Sequence, residues 1–150
     1  MVSIIFPTHN NWPLTKNCLK SIAKLKYPKD QIEVIVVDNA SSDRTQTLIR
    51  KNFPKVKFLA QKSNLFFSKA VNIGAKSARG EYLFITNNDV TFESDFLSNL
   101  VNFADSDFKI GATGGKIKTW KLDNKYFDYA HFLRQATMAV ASERGHNSMR

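Results

Sequence analysis

Short apolar runs, each ended abruptly by polar residues, recur along the first two-thirds of the chain. Val2-Ser3-Ile4-Ile5-Phe6, Glu33 to Val37, Val56 to Ala60 and Tyr82-Leu83-Phe84-Ile85-Thr86 are nearly continuous. Such runs read as strands buried on both faces rather than strands with one wet side. Between them the apolar period changes to that of helices. Trp12-Pro13 opens a first helix with a stripe of Leu14, Cys18, Leu19, Ile22 and Leu25. Ser42 or Asp43 is placed to cap a second, carrying Leu48, Ile49 and Phe53. A third runs from Phe66 to Ala78, with Ala70, Val71, Ile73, Gly74 and Ala75 as a small apolar side. Ser94 is placed to cap a fourth, with Phe96, Leu97, Leu100, Val101 and Ala104 on one face. Ile110 to Thr113 follows as a short fifth strand. This alternation predicts an α/β fold, a parallel sheet with helices on both faces. After Gly114-Gly115 the rhythm changes: a hairpin around Asp123-Asn124 is expected, then weak helical character from Phe132 to Arg150.

The strand ends carry the chemistry. Tyr82 to Thr86 stops at Asn87-Asn88-Asp89, and Glu33 to Val37 stops at Asp38. In open α/β sheets, ligands bind outside the carboxyl ends of strands. Two successive β-α units would therefore place Asp38 and Asp89 on one edge. Asn and Asp are also ordinary turn residues, so either acid alone would be unremarkable.

Composition narrows the options. With 150 residues, 43% hydrophobic and 23% charged, a single soluble domain is expected. No apolar run reaches membrane-spanning length. Cys18 stands alone, and the first strand begins without a signal-like segment, which points to a reducing, cytoplasmic setting. The formal charge is +9, with Lys16, Lys20 and Lys24 on one helix face. That face reads first as solvated surface, and second as a contact for an anionic membrane at the inner leaflet. No nucleic-acid-binding motif accompanies the charge, so no nucleic-acid partner is expected. Pro7-Thr8-His9-Asn10 stands where a dinucleotide fold would need glycines. Gly114-Gly115-Lys116 lacks the other residues of a phosphate loop. No Cys/His cluster suits zinc, and no nucleophile has a base.

Four stretches, VSIIFPTHN, VIVVDNASSDRT, NLFFSKAVNIGA and GEYLFITNNDV, together resemble the family-2 glycosyltransferases, inverting enzymes with a Rossmann-like nucleotide-diphospho-sugar transferase fold. They run in the family's order and spacing from residue 2 to about residue 90. The resemblance implies transfer of a sugar from a nucleotide-diphosphate donor to a hydroxyl on a glycan or lipid-linked acceptor, as in surface polysaccharide synthesis. It implies that Pro7, Thr8 and Asn10 shape the floor under the nucleoside. Asp38 would accept hydrogen bonds from the nucleobase. Asn64, Asn72, Asn87 and Asn88 would line the donor pocket. Asp89 would hold Mg²⁺ or Mn²⁺ on the diphosphate, since hard oxygen ligands suit those ions. Asp43 is expected to cap the following helix instead. Asn87 stands where the motif often begins with an acid, as in members resembling rhamnosyltransferases.

The family's general base belongs to a later acidic motif. After Gly115 the acids are Asp123, Asp128 and Glu143, none adjacent to another. The base is therefore expected beyond Arg150. Residues 1–150 are read as one donor-binding domain, incomplete at its C-terminus and inactive alone. The alternative reading is a fragment that binds a nucleotide sugar without turnover.

Overall fold

The computed structural model describes residues 1–115 and 140–142. Among the described residues five strands form one sheet in the order β3-β2-β1-β4-β5. They are β1 (Val2–Thr8), β2 (Ile32–Asp38), β3 (Lys57–Ala60), β4 (Tyr82–Ile85) and β5 (Val140–Ser142). The first four are mutually parallel, and β5 lies antiparallel on β4. Helices α1 (Trp12–Ala23), α2 (Thr45–Asn52), α3 (Phe66–Lys76) and α4 (Phe96–Asp105) connect or follow them. Among the described residues no helix is long and apolar enough to cross a membrane.

The sheet is central because β1, β2 and β4 are apolar on both faces. Val2, Ile4 and Phe6 of β1 join Val36 and Phe84 in one core with Cys18, Leu19 and Ile22 of α1, Ile49 of α2 and Leu97, Leu100 and Val101 of α4. Ile5, Ile35 and Val37 point the other way, against Ala70 of α3. Alternate residues of β1 and β2 thus feed two cores, as the period of a strand requires. Gly74 is the close-contact position of α3: a Cβ there would come 2.4 Å from Ile5 Cγ2.

Some expectations are corrected. Pro7 does not stop β1, which runs on to Thr8. The Ile5 carbonyl accepts the Thr86 N–H on the β4 side, and the Thr8 carbonyl accepts the Asn39 N–H on the β2 side. Residues alternate between neighbours, so Pro7 faces the β4 side, beyond the last paired residue there, Ile5 with Ile85. Its missing N–H therefore costs no ladder bond. Ile110 to Thr113 is irregular, with Gly111 and Ala112 exposed, and the fifth strand comes instead from Val140–Ser142. Those three residues interrupt the stretch expected to be helical from Phe132. The Asp123-Asn124 hairpin lies outside the described residues. The N-caps of α2 and α4 are Arg44 and Asp95, not Ser42 or Asp43 and not Ser94. Leu14, expected in the apolar stripe of α1, is exposed, whereas Lys16, Lys20 and Lys24 are exposed as expected.

At the amino end of the sheet, a buried carboxylate closes the α3–β4 connection. Glu33 accepts the Ser3 hydroxyl at 2.7 Å, the Arg79 N–H at 2.9 Å and the Arg79 guanidinium at 3.0 Å. Ser3 in turn accepts the Gly80 N–H at 2.8 Å. Burial pushes the Glu33 carboxyl up, but the hydrogen bonds from Arg79 and Ser3 outweigh it and hold it below the usual carboxylate range. Its stabilisation is therefore full at neutral pH and is lost as pH falls through the lowered folded value. Glu33→Gln is expected to cost about 1–3 kcal/mol at neutral pH. The gap to wild type should close in acid, which urea melts across pH will read. A gap constant with pH would exclude a charged Glu33 as its source.

Candidate functional site

The sheet order reverses beside β1: the chain steps outward to β2 and β3, then returns to β4 on the other side. In such sheets the crevice at this reversal is where ligands bind. The carboxyl ends of β2, β1 and β4 meet here, bringing Asp38, Thr8 and the Asn87–Asp89 turn to one edge. The edge on which the two acids were expected together is thus the edge on which they lie.

The two acids differ in setting. Asp38 is 2% exposed and pairs in register with Thr8. Its Oδ2 accepts the Ser41 N–H at 3.2 Å and its Oδ1 accepts the Ser41 hydroxyl. A carboxylate offers about four acceptor positions, so capacity remains for a further donor. Asp89 is exposed and has no hydrogen bond or ion pair with another described residue. Its neighbour Asn88 is half-buried, with Nδ2 donating to Thr8 Oγ1 at 3.3 Å and to Thr15 Oγ1 at 3.1 Å. The hydroxyls of Thr8 and Thr15 bond each other at 2.9 Å. Asn88 is thereby fastened to β1 and α1. Asn87 is exposed, and its carbonyl accepts the Cys18 thiol at 3.7 Å. Burial, with Asp89 nearby, pushes that thiol up to about 12, so it stays neutral and serves as packing. Below the turn, Phe84, Phe92 and Phe96 form a cluster with ring centroids 5.3–5.5 Å apart. Phe92, which sequence reasoning did not single out, ties the chain after Asp89 back onto β4.

The loops after β1 and β2 interlock. Asn10 N–H donates to Ser41 Oγ at 2.7 Å. Asn10 Oδ1 accepts the N–H groups of Ser42 at 2.8 Å and Asp43 at 3.2 Å. Asp43 Oδ1 accepts the Thr45 N–H at 2.9 Å, at the first turn of α2. Burial raises the Asp43 carboxyl, but bonds from Thr45 and from the Trp12 and Asn11 N–H groups prevail and hold it below the usual range. Asp43 therefore ties the starts of α1 and α2 together, beyond the single helix expected of it. Pro7 precedes this knot as the half-buried penultimate residue of β1.

Asn39, also missed from sequence, is 4% exposed and holds the loop before α3. Its Nδ2 donates to the Phe66 carbonyl at 3.2 Å, and its Oδ1 accepts the Leu65 N–H at 3.4 Å. Its signal was position alone: a second polar residue directly after Asp38. Asn64 is exposed and accepts the Phe66 N–H at 2.9 Å. Asn72 is exposed on α3, six residues and about 9 Å along the axis from the helix start. It lies farther from the strand ends than the other candidates.

On the Asn87–Asp89 turn a divalent cation would find the Asp89 carboxylate, which has no partner among the described residues. Among the described residues no three His, Cys, Asp or Glu side chains gather as a metal cluster. This donor set fits an ion such as Mg²⁺ or Mn²⁺ that takes most ligands from phosphate and water. It does not fit a closed structural site.

The description "Glycosyl transferase family 2" matches residues 3–143. The chain is 32% identical over 123 residues to the probable glycosyltransferase YdaM of Bacillus subtilis, covering 78% of this chain and 29% of YdaM. Mannosyltransferase PcManGT from Pyrobaculum calidifontis, solved with GDP-Man and Mn²⁺, superposes with a TM-score of 0.69 at 32% identity, covering 74% of this chain and 34% of that one. Staphylococcus aureus TarS 1-349 in complex with UDP-GlcNAc superposes at 0.65 with 31% identity, covering 69% and 31%. The chain thus spans no more than about a third of each of these relatives.

Proposed function

The chain belongs to glycosyl transferase family 2, and on that premise we propose that it binds a nucleotide-diphosphate sugar at the carboxyl edge of its sheet for transfer to a hydroxyl acceptor. The observation that carries the reading is the pairing of two unlike acids on that edge. Asp38 is buried and braced, suited to accept an N–H of the base. Asp89 is exposed and has no partner among the described residues, suited to a cation on the diphosphate.

In this reading Pro7, Thr8 and Asn10 shape the floor, with Thr8 and Thr15 holding Asn88 in place. Asn64, Asn72 and Asn87 stand along the rim. Asp89 would hold Mg²⁺ or Mn²⁺, which would stabilise charge on the departing nucleoside diphosphate. Inversion, the sugar, the acceptor and docking of the Lys16, Lys20 and Lys24 face on an anionic leaflet belong to the same proposal. The relatives solved with GDP-Man and Mn²⁺ and with UDP-GlcNAc support the donor class.

Calorimetric titration of the 150-residue chain with UDP and GDP, with and without Mn²⁺, tests it against titration with single-stranded RNA. We expect one nucleoside diphosphate to bind, more tightly with Mn²⁺, and RNA to bind weakly and in proportion to low salt. RNA binding without any nucleotide binding would replace this reading with one based on the chain's charge.

A further inference from the structure

Among the described residues four non-glycine residues have positive φ: Asn10 at 58°, Asn11 at 60°, Ala40 at 59° and Phe66 at 59°. Asn10, Asn11 and Ala40 lie on loops at the carboxyl edge of the sheet, and Phe66 is the first residue of α3. Asparagine visits this region readily, but for a bulky side chain it is a true outlier. Phe66 is the extreme case. Its side chain is 79% exposed, so no packing in the described fold offsets the conformation. Yet the backbone is held from both sides. Asn64 Oδ1 accepts its N–H at 2.9 Å, and Asn39 Nδ2 donates to its carbonyl at 3.2 Å. A glycine would adopt this φ without strain and without a ring. Exposed aromatic residues on relaxed backbone need no explanation, but one fixed in a costly conformation does.

We propose that Phe66 is a donor contact whose ring stacks on the base of the bound nucleotide. The inference rests on the edge binding a nucleotide sugar, as proposed above, and adds the residue that covers the base. Two observations choose the base over the sugar. The side chain that pins Phe66, Asn39, directly follows Asp38, the acceptor suited to a base N–H. The ring offers a flat apolar face, which matches a nucleobase, and such stacking tolerates any base. Phe67 is 46% exposed but carries no positive φ, so the same argument does not reach it.

The test uses the 150-residue chain with Mn²⁺, titrated with UDP, GDP and inorganic pyrophosphate. Phe66→Gly and Phe66→Leu should each weaken binding of the preferred nucleotide about tenfold or more, a typical loss for one stacked base. Phe66→Trp should preserve it. Pyrophosphate, which has no base, should bind all four proteins alike. The thermal midpoint of Phe66→Gly should equal or exceed that of wild type, which separates lost stacking from lost fold. Wild-type nucleotide binding with no loss in the Gly and Leu variants overturns the stacking role alone. Equal weakening of pyrophosphate overturns it too, by assigning Phe66 to loop geometry. Failure of wild type to bind either nucleotide overturns the donor-site reading and this inference together.

Discussion

Asp89→Ala is expected to remove most of the gain in nucleoside diphosphate affinity that Mn²⁺ provides, while leaving the fold intact. Asp89 is exposed and holds no described partner, so its removal leaves no buried group unsatisfied. Surface substitutions of that kind usually shift stability by no more than about 0.5 kcal/mol. Its effect on metal should be far larger. Truncating one member of a close charge pair costs about 2–5 kcal/mol when buried, and solvent at this exposed position favours the lower end. That lower end is a loss of roughly thirtyfold, at about 1.4 kcal/mol per tenfold. Asp89 is the only carboxylate of the Asn87–Asp89 turn, so no neighbour on the turn can substitute. Binding of nucleotide without metal should be nearly unchanged, because Asp38 is held by Ser41 and not by Asp89. Calorimetry with and without Mn²⁺ on both proteins reads the difference directly. The same enhancement in the variant would remove Asp89 from the metal assignment.

Strands β1, β2 and β4 were legible because a strand between two layers must be apolar at consecutive positions, and Ile4 to Phe6, Ile35 to Val37 and Tyr82 to Phe84 are; β3, only half-buried, was legible from its short apolar run alone. The common edge of Asp38 and Asp89 followed from that alone, since parallel strands end on one side. Strand β5 was not legible. Three residues carry no period, and Val140–Ser142 reaches β4 from more than fifty positions away in the chain. The error at Ile110 to Thr113 has the opposite cause: a run of small and apolar residues suggested a strand that no neighbour pairs. Pro7 misled because a proline rule applies only where the ladder needs an N–H, and on that side of β1 the ladder has already ended.

Within the site, residue types were legible and partnerships were not. Asn10 could be named as a site residue, but its hold on Ser42 and Asp43 spans more than thirty positions. Local pattern contains no trace of such a bond. Asn39 was missed for the same reason, although it secures the loop before α3. The positive φ at Ala40 and Phe66 had no glycine to announce it.

Gly80→Ala is expected to be the most damaging single methyl in the described fold. A Cβ at Gly80 would lie 2.5 Å from Ser3 N, 2.7 Å from Ser3 Oγ and 2.9 Å from the Val2 carbonyl carbon. Its φ is not positive, so space and not backbone freedom requires glycine here. Two of the three atoms are backbone of β1, which is paired on both sides with β2 and β4 and cannot retreat alone. Overpacking of this kind costs about 1–3 kcal/mol. Displacing Gly80 also stretches its N–H bond to Ser3, and with it the Ser3 bond to Glu33. A buried polar group left unsatisfied adds about 1–3 kcal/mol. A total near 4 kcal/mol would be a large share of the roughly 5–15 kcal/mol that holds a domain together. Gly74→Ala makes an instructive contrast, because its Cβ would come 2.4 Å from a side-chain methyl, Ile5 Cγ2, and 3.3 Å from Val37 Cγ2. A side chain can shift, and alanine in a helix is favoured over glycine by about 1 kcal/mol. Its net cost should therefore stay below about 2 kcal/mol. Urea melts of the two variants beside wild type give the ranking. If Gly74→Ala proves the more destabilising, the strand backbone at Ser3 is softer than its two ladders imply.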